Sequence, residues 1–390
     1  MGDGVNWEEK KLNLKPLRDY CERTRDDLLR CLEAAVEIES PTSSKPDVDR
    51  MARFCAKQCR ELGGKVQLLP HATAGSGVVA QFWSDRRPRK PVLLLGHIDT
   101  VWDVGTLKTM PYRTRGGRAY GPGVFDMKSG IVCGLWAIRA LRATGTVPSS
   151  PVRFFLNSDE ETSSLAFRKQ LLAEARRARG VLVLEPAAAG GALKTSRKGV
   201  GEFRVTVQGR SAHAGINPAA GVNAISELAR QILRIESLAR PRRGLTLTTG
   251  IIEGGTRVNV VPERASARID VRVARASDIA DLEKKIRALK PFHPEARLTI
   301  EGGVNRPPLE RGMTRELFRK AKGLASEMGI SLEEASTGGG SDGNFTAALG
   351  IPTLDGLGGV GDGAHARHEH VVIRELPRRA ALIAALLARL

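Results

Sequence analysis

Histidine and carboxylate side chains follow several apolar segments of this sequence, close to the points where those segments end. His97 and Asp99 come just after the apolar run 91–95, and Glu160 and Glu161 follow the run 152–156. Glu185 follows a third apolar run, Asp126 stands in a glycine-containing turn, and His365 follows a glycine-rich loop. Imidazoles and carboxylates together suit zinc, and cobalt and manganese accept the same ligands. The residue types therefore favour a metal site, with paired zinc ions as the first choice.

Each of these residues, taken singly, has a more ordinary interpretation. A lone histidine, or a glutamate at the end of a strand, most often caps an element or lies in solvent on the surface. Here such residues stand at five places, each just after a predicted buried strand or a glycine turn. Because the carboxyl ends of parallel strands meet at one edge of a sheet, we expect these groups to converge there.

The segments that must position these residues alternate between strand and helix patterns. The continuously apolar run 91–95 is typical of a strand that is buried on both faces. The predicted strands are 65–69, 77–83, 91–95, 152–156 and 181–184. The predicted helices are 14–37, 47–62, 129–143, 163–179, 313–328 and 376–390. This alternation predicts an α/β fold whose sheet is mostly parallel.

The pattern changes between the third apolar run and the C-terminal part of the chain. There the order is strand, helix, two strands, helix and strand, which is typical of a ferredoxin-like α+β sandwich. We therefore predict that residues 197–308 form a small domain inserted into a larger α/β domain built from residues 1–196 and 309–390.

Composition limits the class of protein and of partner. Of the 390 residues, 41% are hydrophobic and 27% are charged, which is the balance of a folded globular protein. The net charge of +18 is scattered without interleaved aromatic residues, so we expect a solvated surface and no nucleic-acid partner. No apolar run reaches the roughly 18 residues of a membrane span, and the first six residues show no signal-peptide pattern. We expect a cytoplasmic protein that has no membrane partner.

Seven motifs occur in an order that makes the chain recognisable. They are His97–Val101, Gly121–Lys128, Asp159–Glu161, Glu185–Pro186, Ser211–Gly215, Gly338–Asp342 and Gly363–His365. The chain resembles the co-catalytic zinc hydrolases that include aminoacylase, acetylornithine deacetylase, succinyl-diaminopimelate desuccinylase and bacterial glutamate carboxypeptidase. It looks most like the glutamate carboxypeptidase branch. The resemblance implies an α/β catalytic domain with an inserted lid domain through which two chains form a homodimer.

The same resemblance implies a set of metal ligands. His97 and Glu185 would bind one ion, His365 and Glu161 would bind a second, and Asp126 would bridge the two. The cofactor would be two Zn²⁺ per chain, with Co²⁺ or Mn²⁺ as alternatives. Two other histidines near the fifth ligand are rivals for its place: His368 and His370.

The remaining roles that the resemblance implies concern catalysis and substrate binding. Asp99 would hold the imidazole of the first ligand histidine, and Glu160 would be the general base. His213 would stabilise the oxyanion, acting in the partner chain's site. Three residues of the inserted domain would bind the carboxylate of a glutamate-like substrate: Asn259, Arg272 and Arg306.

These expectations describe a di-zinc hydrolase that cleaves an amide bond and releases a C-terminal, glutamate-like amino acid, as a carboxypeptidase or an N-acyl-amino-acid deacylase. Its substrate would be a small molecule or short peptide with a free carboxylate. Two alternatives of the same family are a short-peptide peptidase and an acetyl- or succinyl-amino-acid deacylase. A more distant alternative is a non-catalytic basic binding protein that retains the hydrolase scaffold.

Overall fold

The computed structural model describes residues 13–85 and 89–390, which form two compact units. The first unit contains the described residues up to Thr195 together with Arg311–Ser336 and Ser341–Leu390. The second unit contains Ser196–Glu310 and Thr337–Gly340. The residues at the extreme N-terminus, on which the expectation about location rests, lie outside the described residues.

Both units combine helices and strands. The helices are α1 Lys15–Arg23, α2 Arg25–Val36, α3 Lys45–Glu61, α4 Ser129–Ala143, α5 Arg168–Arg177, α6 Ala224–Glu236, α7 Ile279–Arg287, α8 Arg311–Glu327, α9 Asp342–Ala348 and α10 Glu375–Arg389. The strands are β1 Lys65–Leu69, β2 Gly77–Phe82, β3 Val92–His97, β4 Arg113–Arg115, β5 Arg118–Tyr120, β6 Val152–Asn157, β7 Gly180–Val183, β8 Leu193–Arg197, β9 Gly199–Gln208, β10 Ala212–His213, β11 Thr246–Gly254, β12 Val260–Val261, β13 Arg264–Val273, β14 Arg297–Arg306, β15 Glu334–Thr337, β16 Thr353–Leu354, β17 Gly361–Asp362 and β18 His370–Val372.

The main sheet of the first unit has the strand order β1-β2-β6-β3-β7-β16. Strand β3 runs parallel to β6 and β7, and β7 runs parallel to β16, whereas β1 and β2 are antiparallel to their neighbours. The sheet is therefore mostly parallel, as the sequence predicts. Its register places His97 opposite Asn157, so that β3 and β6 end together at one edge.

Strand β3 is buried on both faces because the sheet separates two hydrophobic cores. Leu94 belongs to the core built with helices α1 to α4 and α10. Leu93 and Leu95 belong to the opposite core, which includes side chains of α5 and α9. This arrangement explains why the run 91–95 shows no polar alternation.

Two predicted helices differ from the observed ones. The segment 14–37 is broken at Thr24, which leaves the helical conformation (φ −100°, ψ 20°) and accepts a hydrogen bond from the indole of Trp136 at 3.0 Å. Helix α5 begins at Arg168, not at residue 163, because Ser163 and Ser164 adopt left-handed φ angles of 77° and 55°. A periodic apolar pattern does not reveal either local break.

The second unit folds as strand β9, helix α6, strands β11 and β13, helix α7 and strand β14. Its four strands form an antiparallel sheet in the order β11-β13-β9-β14. Along β9, Phe203 and Val205 are buried in the core with side chains of α6 and α7, while Glu202 and Arg204 are exposed on the other face. The two helices therefore cover one face of the sheet.

Among the described residues, no helix combines the length and the apolar character that a membrane crossing requires.

The packing of α4 against the main sheet leads to a testable prediction about stability. A Cβ atom at Gly130 would overlap the main-chain carbonyl oxygen of Leu184, which cannot move without shifting the backbone. We expect Gly130→Ala to lower the free energy of unfolding by about 1–3 kcal/mol, measured by denaturant titration.

The matched control is Gly323→Ala on the exposed side of α8. No atom of the described residues outside its own helix lies within 4 Å of a Cβ at this position. This substitution should raise the free energy of unfolding by roughly 0.5–1 kcal/mol, because alanine loses less backbone entropy than glycine in a helix. Equal stability of Gly130→Ala and the wild type would contradict the packing described here.

Candidate metal centre

The end of β3 brings His97 into contact with two carboxylates. Its Nε2 atom lies 3.2 Å from Oδ1 of Asp126 and 3.6 Å from Oε1 of Glu185. Glu185 follows the end of β7, the strand next to β3 in the sheet. His97 is 2% exposed, so this group of donors lies inside the protein and not on its surface.

A second group of donors shares Asp126 with the first. Nε2 of His365 lies 3.5 Å from Oδ2 of Asp126 and 3.4 Å from Oε1 of Glu161. Asp126 therefore presents one carboxylate oxygen to each histidine. His365 has a left-handed φ of 62° and its side chain is half exposed, so the second group lies nearer to solvent than the first.

Glu160 lies beside the first group. Its carboxylate and the ligand atoms of His97 and Glu185 all lie within 4.8 Å of one another, and so do the ligand atoms of His97, Asp126 and Glu161. The structure thus brings together all five sequence-predicted ligands and the predicted base. His365 contacts both Asp126 and Glu161, whereas within the described residues neither rival histidine contacts a carboxylate of the centre. The imidazole of His370 contacts the main-chain oxygen of His368 at 2.9 Å and the ring of Tyr120.

Asp99 connects the loops that carry these donors. Its buried carboxylate accepts the main-chain N–H groups of Glu160 (3.2 Å) and Glu161 (3.1 Å) and the hydroxyl of Thr42 (2.8 Å). Nδ1 of His97 lies 3.0 Å from the main-chain oxygen of Asp99 and 3.4 Å from its Oδ1. Both contacts favour a proton on Nδ1, so Nε2, which faces Asp126 and Glu185, is the nitrogen that would bind a cation.

The sequence reasoning did not select Asp342, although it ends the glycine motif and begins α9. Asp342 is buried and accepts hydrogen bonds from the amide of Asn157 (2.6 Å) and the hydroxyl of Ser164. These two donors flank the loop that carries Glu160 and Glu161. Glu369, four residues after His365, is a second buried carboxylate that the reasoning missed. The sequence feature that could have identified both residues is an acidic residue in or close to one of the recognised motifs.

Burial and hydrogen bonding shift the protonation of the centre. Burial alone would lower the pKa of His97, but the carboxylates of Asp126 and Asp99 raise it well above its ordinary value. Hydrogen bonds that His365 donates to Asp126 and Glu161 raise its pKa to about 10. Burial opposes the charge on Asp126, yet its contacts with both imidazoles lower its pKa. Burial raises the pKa of Glu161, so without a cation the centre holds the charged Asp126 carboxylate between two protonated imidazoles.

This charge pattern fits a pair of divalent cations. Two imidazoles and three carboxylates converge, and protons on the imidazole nitrogens offset part of the negative charge that the carboxylates gather. Metal binding replaces such protons, because histidine ligates in its neutral form. The donor atoms divide into two sets that share Asp126, which is the arrangement two neighbouring cations require.

Two predicted residues of the second unit lie on one small ribbon. His213 on β10 pairs with β12, and the main-chain oxygen of Asn259 accepts the N–H of Ala214 at 3.0 Å. Nδ1 of His213 accepts the N–H groups of Gly215 (3.1 Å) and Ile216 (3.2 Å). The neutral ring therefore carries its proton on Nε2, which can act as a donor.

The two predicted arginines of the second unit differ in their surroundings. Arg272 makes two hydrogen bonds of 2.9 Å to the carboxylate of Asp270 and a third of 3.3 Å to the main-chain oxygen of Gly338. Arg306 is 6% exposed. Sequence reasoning missed Arg197, a third arginine, whose buried guanidinium donates to the main-chain oxygens of the same glycine motif.

Comparison with known proteins identifies the family. The model of "Peptidase family M20/M25/M40" matches residues 93–389. Carboxypeptidase G2 of Pseudomonas sp. (strain RS-16) is 32% identical over 368 residues, covering 92% of this chain and 88% of the relative. Succinyl-diaminopimelate desuccinylase of Dechloromonas aromatica (strain RCB) is 25% identical, covering 92% and 98%.

A solved structure shares the fold over nearly the whole chain. The Bacillus subtilis YXEP protein, described as a dinuclear metal binding peptidase from M20 family, superposes with a TM-score of 0.67 at 14% identity. The superposition covers 94% of this chain and 98% of that structure. On the family match and the 32% identical relative, the chain belongs to peptidase family M20/M25/M40 and is a hydrolase of the metallopeptidase type.

Proposed function

We propose that the protein is a two-metal amide hydrolase that releases a C-terminal, glutamate-like amino acid from a small acyl or peptide substrate. The observation that carries this proposal is the position of Asp126, with one oxygen 3.2 Å from His97 and the other 3.5 Å from His365. A carboxylate placed in this way can serve two cations at once. The dinuclear description of the structurally similar YXEP protein supports the same interpretation.

In this proposal the two cations take separate donor sets. His97 and Glu185 would hold one ion, His365 and Glu161 would hold the other, and Asp126 would contribute to both. We favour Zn²⁺, and Co²⁺ or Mn²⁺ would suit the same nitrogen and oxygen donors. Two such ions, when bound, supply Lewis acidity that lowers the pKa of a water molecule and polarises an amide carbonyl.

Glu160 would be the general base. It adjoins Glu161 in the chain, and its main-chain N–H is held by Asp99. Its side chain is 9% exposed, so its carboxylate is shielded from most of the competing solvent. We propose that it accepts a proton from the attacking water and delivers this proton to the amine that leaves.

Substrate selection would depend on Asn259, Arg272 and Arg306 of the second unit. A guanidinium suits a substrate carboxylate because it can donate two parallel hydrogen bonds. Arg272 already makes this type of pair with Asp270, so a substrate carboxylate would have to replace Asp270 or share the guanidinium with it. The similarity to carboxypeptidase G2 favours glutamate release, and the similarity to a desuccinylase supports the acyl-amino-acid alternative.

We further propose that two chains form a homodimer through the second unit. Strand β11 lies at an edge of its sheet and exposes Ile251 and Ile252, while the neighbouring α6 exposes Leu233 with 70% of its surface accessible. An exposed strand edge beside apolar side chains is a surface suited to pairing with its own copy. His213 would then donate from Nε2 to the oxyanion formed in the partner chain's site.

A hydrolysis panel tests the substrate class. With Zn²⁺, Co²⁺ or Mn²⁺ added, we expect N-acyl-glutamates and folate-like glutamates to be cleaved faster than neutral dipeptides or acetylornithine. Arg272→Ala should raise KM for an N-acyl-glutamate roughly tenfold or more, because a charged hydrogen-bond donor is lost. The control is Arg268→Ala, since Arg268 lies on β13 as Arg272 does and makes a similar carboxylate pair with Glu202 of β9. Equal rates on glutamate and neutral substrates would reject the glutamate preference.

The role of Glu160 is tested by Glu160→Gln. Glutamine keeps the size of the side chain but does not accept the proton, so kcat should fall by about 10²–10⁴-fold while the metal content per chain stays unchanged. Glu22→Gln on the exposed surface of α1 is the control and should behave as the wild type. A variant at position 160 that keeps more than about a tenth of the wild-type kcat would show that another group is the base.

The dimer proposal is tested by mixing two inactive chains. In a heterodimer of His213→Ala and Glu160→Gln chains, action across the interface places both defects in one site and leaves the other site intact. Each homodimer should be nearly inactive, and an equal mixture should recover up to about a quarter of wild-type activity on statistical assortment. Absence of recovery, with subunit exchange shown by mass labelling, would mean that His213 does not act in the partner's site.

A further inference from the structure

Glu369 is a fully buried carboxylate that accepts four N–H groups. Its Oε1 accepts the main-chain N–H groups of Phe125 (2.9 Å) and Asp126 (3.0 Å). Its Oε2 accepts the main-chain N–H of Gly123 (2.9 Å) and the indole N–H of Trp102 (2.8 Å). Three of these four donors belong to the turn that carries Asp126.

The hydrogen-bond donors around Glu369 suit a carboxylate, whose two oxygens offer acceptors for all four. All four partners are N–H donors, so each oxygen must act as an acceptor for two of them. The O–H of a neutral acid, or the NH₂ of an amide, would face one or more of these N–H groups and leave them without an acceptor. Burial raises the pKa of Glu369, and the four N–H donors oppose this shift.

One carboxylate thereby connects three segments of the candidate centre. Trp102 lies three residues beyond Asp99 on the loop that follows β3. Glu369 itself stands four residues after His365, and its N–H donates to the main-chain oxygen of Ala366 at 2.9 Å, which closes a turn. The segments that hold His365 and Asp126 therefore meet at Glu369.

We propose that Glu369 is a positioning residue that fixes the main chain of Asp126, and so aims one of its oxygens at each cation. The proposal rests on the proposed function, in which Asp126 is the shared ligand. The cation held by His365 depends on Glu369 most, because His365 and Asp126 both lie on segments that this carboxylate ties together. The other cation keeps His97, which ends β3, and Glu185, which lies two residues after the end of β7.

The test is the titration of metal-free full-length protein with Co²⁺ alone, followed by the visible absorption of the bound ion. The wild type should bind two Co²⁺ per chain. In Glu369→Gln, we expect the dissociation constant of the second Co²⁺ to rise 10–100-fold, while that of the first changes by less than about threefold. The kcat should fall at limiting Co²⁺ and recover at excess Co²⁺, with KM unchanged.

The matched control is Glu227→Gln in the second unit. Glu227 is also buried and accepts the main-chain N–H groups of Phe292 (2.9 Å) and His293 (3.0 Å) and the amide of Gln231 (2.8 Å). This variant should lose stability but bind both Co²⁺ ions as the wild type does. Loss of Co²⁺ affinity in the control as well would mean that general destabilisation, and not positioning, explains the result.

A milder variant covers the case in which Glu369→Gln does not fold. Trp102→Phe removes one of the four donors and leaves the turn's three N–H groups bound, so the second Co²⁺ should bind roughly fivefold more weakly. Unchanged binding of both ions in the folded variants, or equal weakening of both, would overturn the positioning role. A wild type that binds one Co²⁺ per chain would instead overturn the shared-ligand function, so the two failures are distinguishable.

Discussion

The convergence of carboxylates at one edge of an apolar sheet is the constraint on which the rest of the structure depends. Asp126, Glu161 and Glu185 meet around two imidazoles, with Asp99 and Glu160 close by. Like charges in a buried site repel strongly, and burial raises the pKa of Glu161, so positive charge among these donors stabilises the set. Protons on the histidines provide that charge in the metal-free protein, and divalent cations would provide it in the enzyme.

A layer of main-chain N–H groups holds the charged side chains in place. Asp99 accepts the N–H groups of the loop that carries the proposed base, and Glu369 accepts those of the turn that carries Asp126. In both cases a buried carboxylate binds the backbone of a neighbouring loop. The loops have little regular secondary structure of their own, so these carboxylates take the place of a helix or strand in fixing them.

The local sequence pattern predicts the strands that end at the metal centre. It does not predict the hydrogen bonds of the buried carboxylates that hold the loops of this centre. The apolar run 91–95 and the residues after it predict a buried strand that ends at His97, because a strand that is buried on both faces has a continuous apolar sequence. Nothing in the pattern around Glu369 or Asp342 shows that these acids are buried, since their partners are distant in sequence. The pairing of Arg272 with Asp270 was equally invisible, because choosing a partner depends on side-chain geometry.

The most direct test of the two-cation centre is a crystal structure of the zinc-loaded protein with anomalous diffraction recorded at the zinc edge. A two-cation centre requires two anomalous peaks per chain, one beside His97 and Glu185 and the other beside His365 and Glu161, about 3.5–4 Å apart with Asp126 contacting both. A single peak at saturating zinc, or two peaks of which only one contacts Asp126, would contradict it.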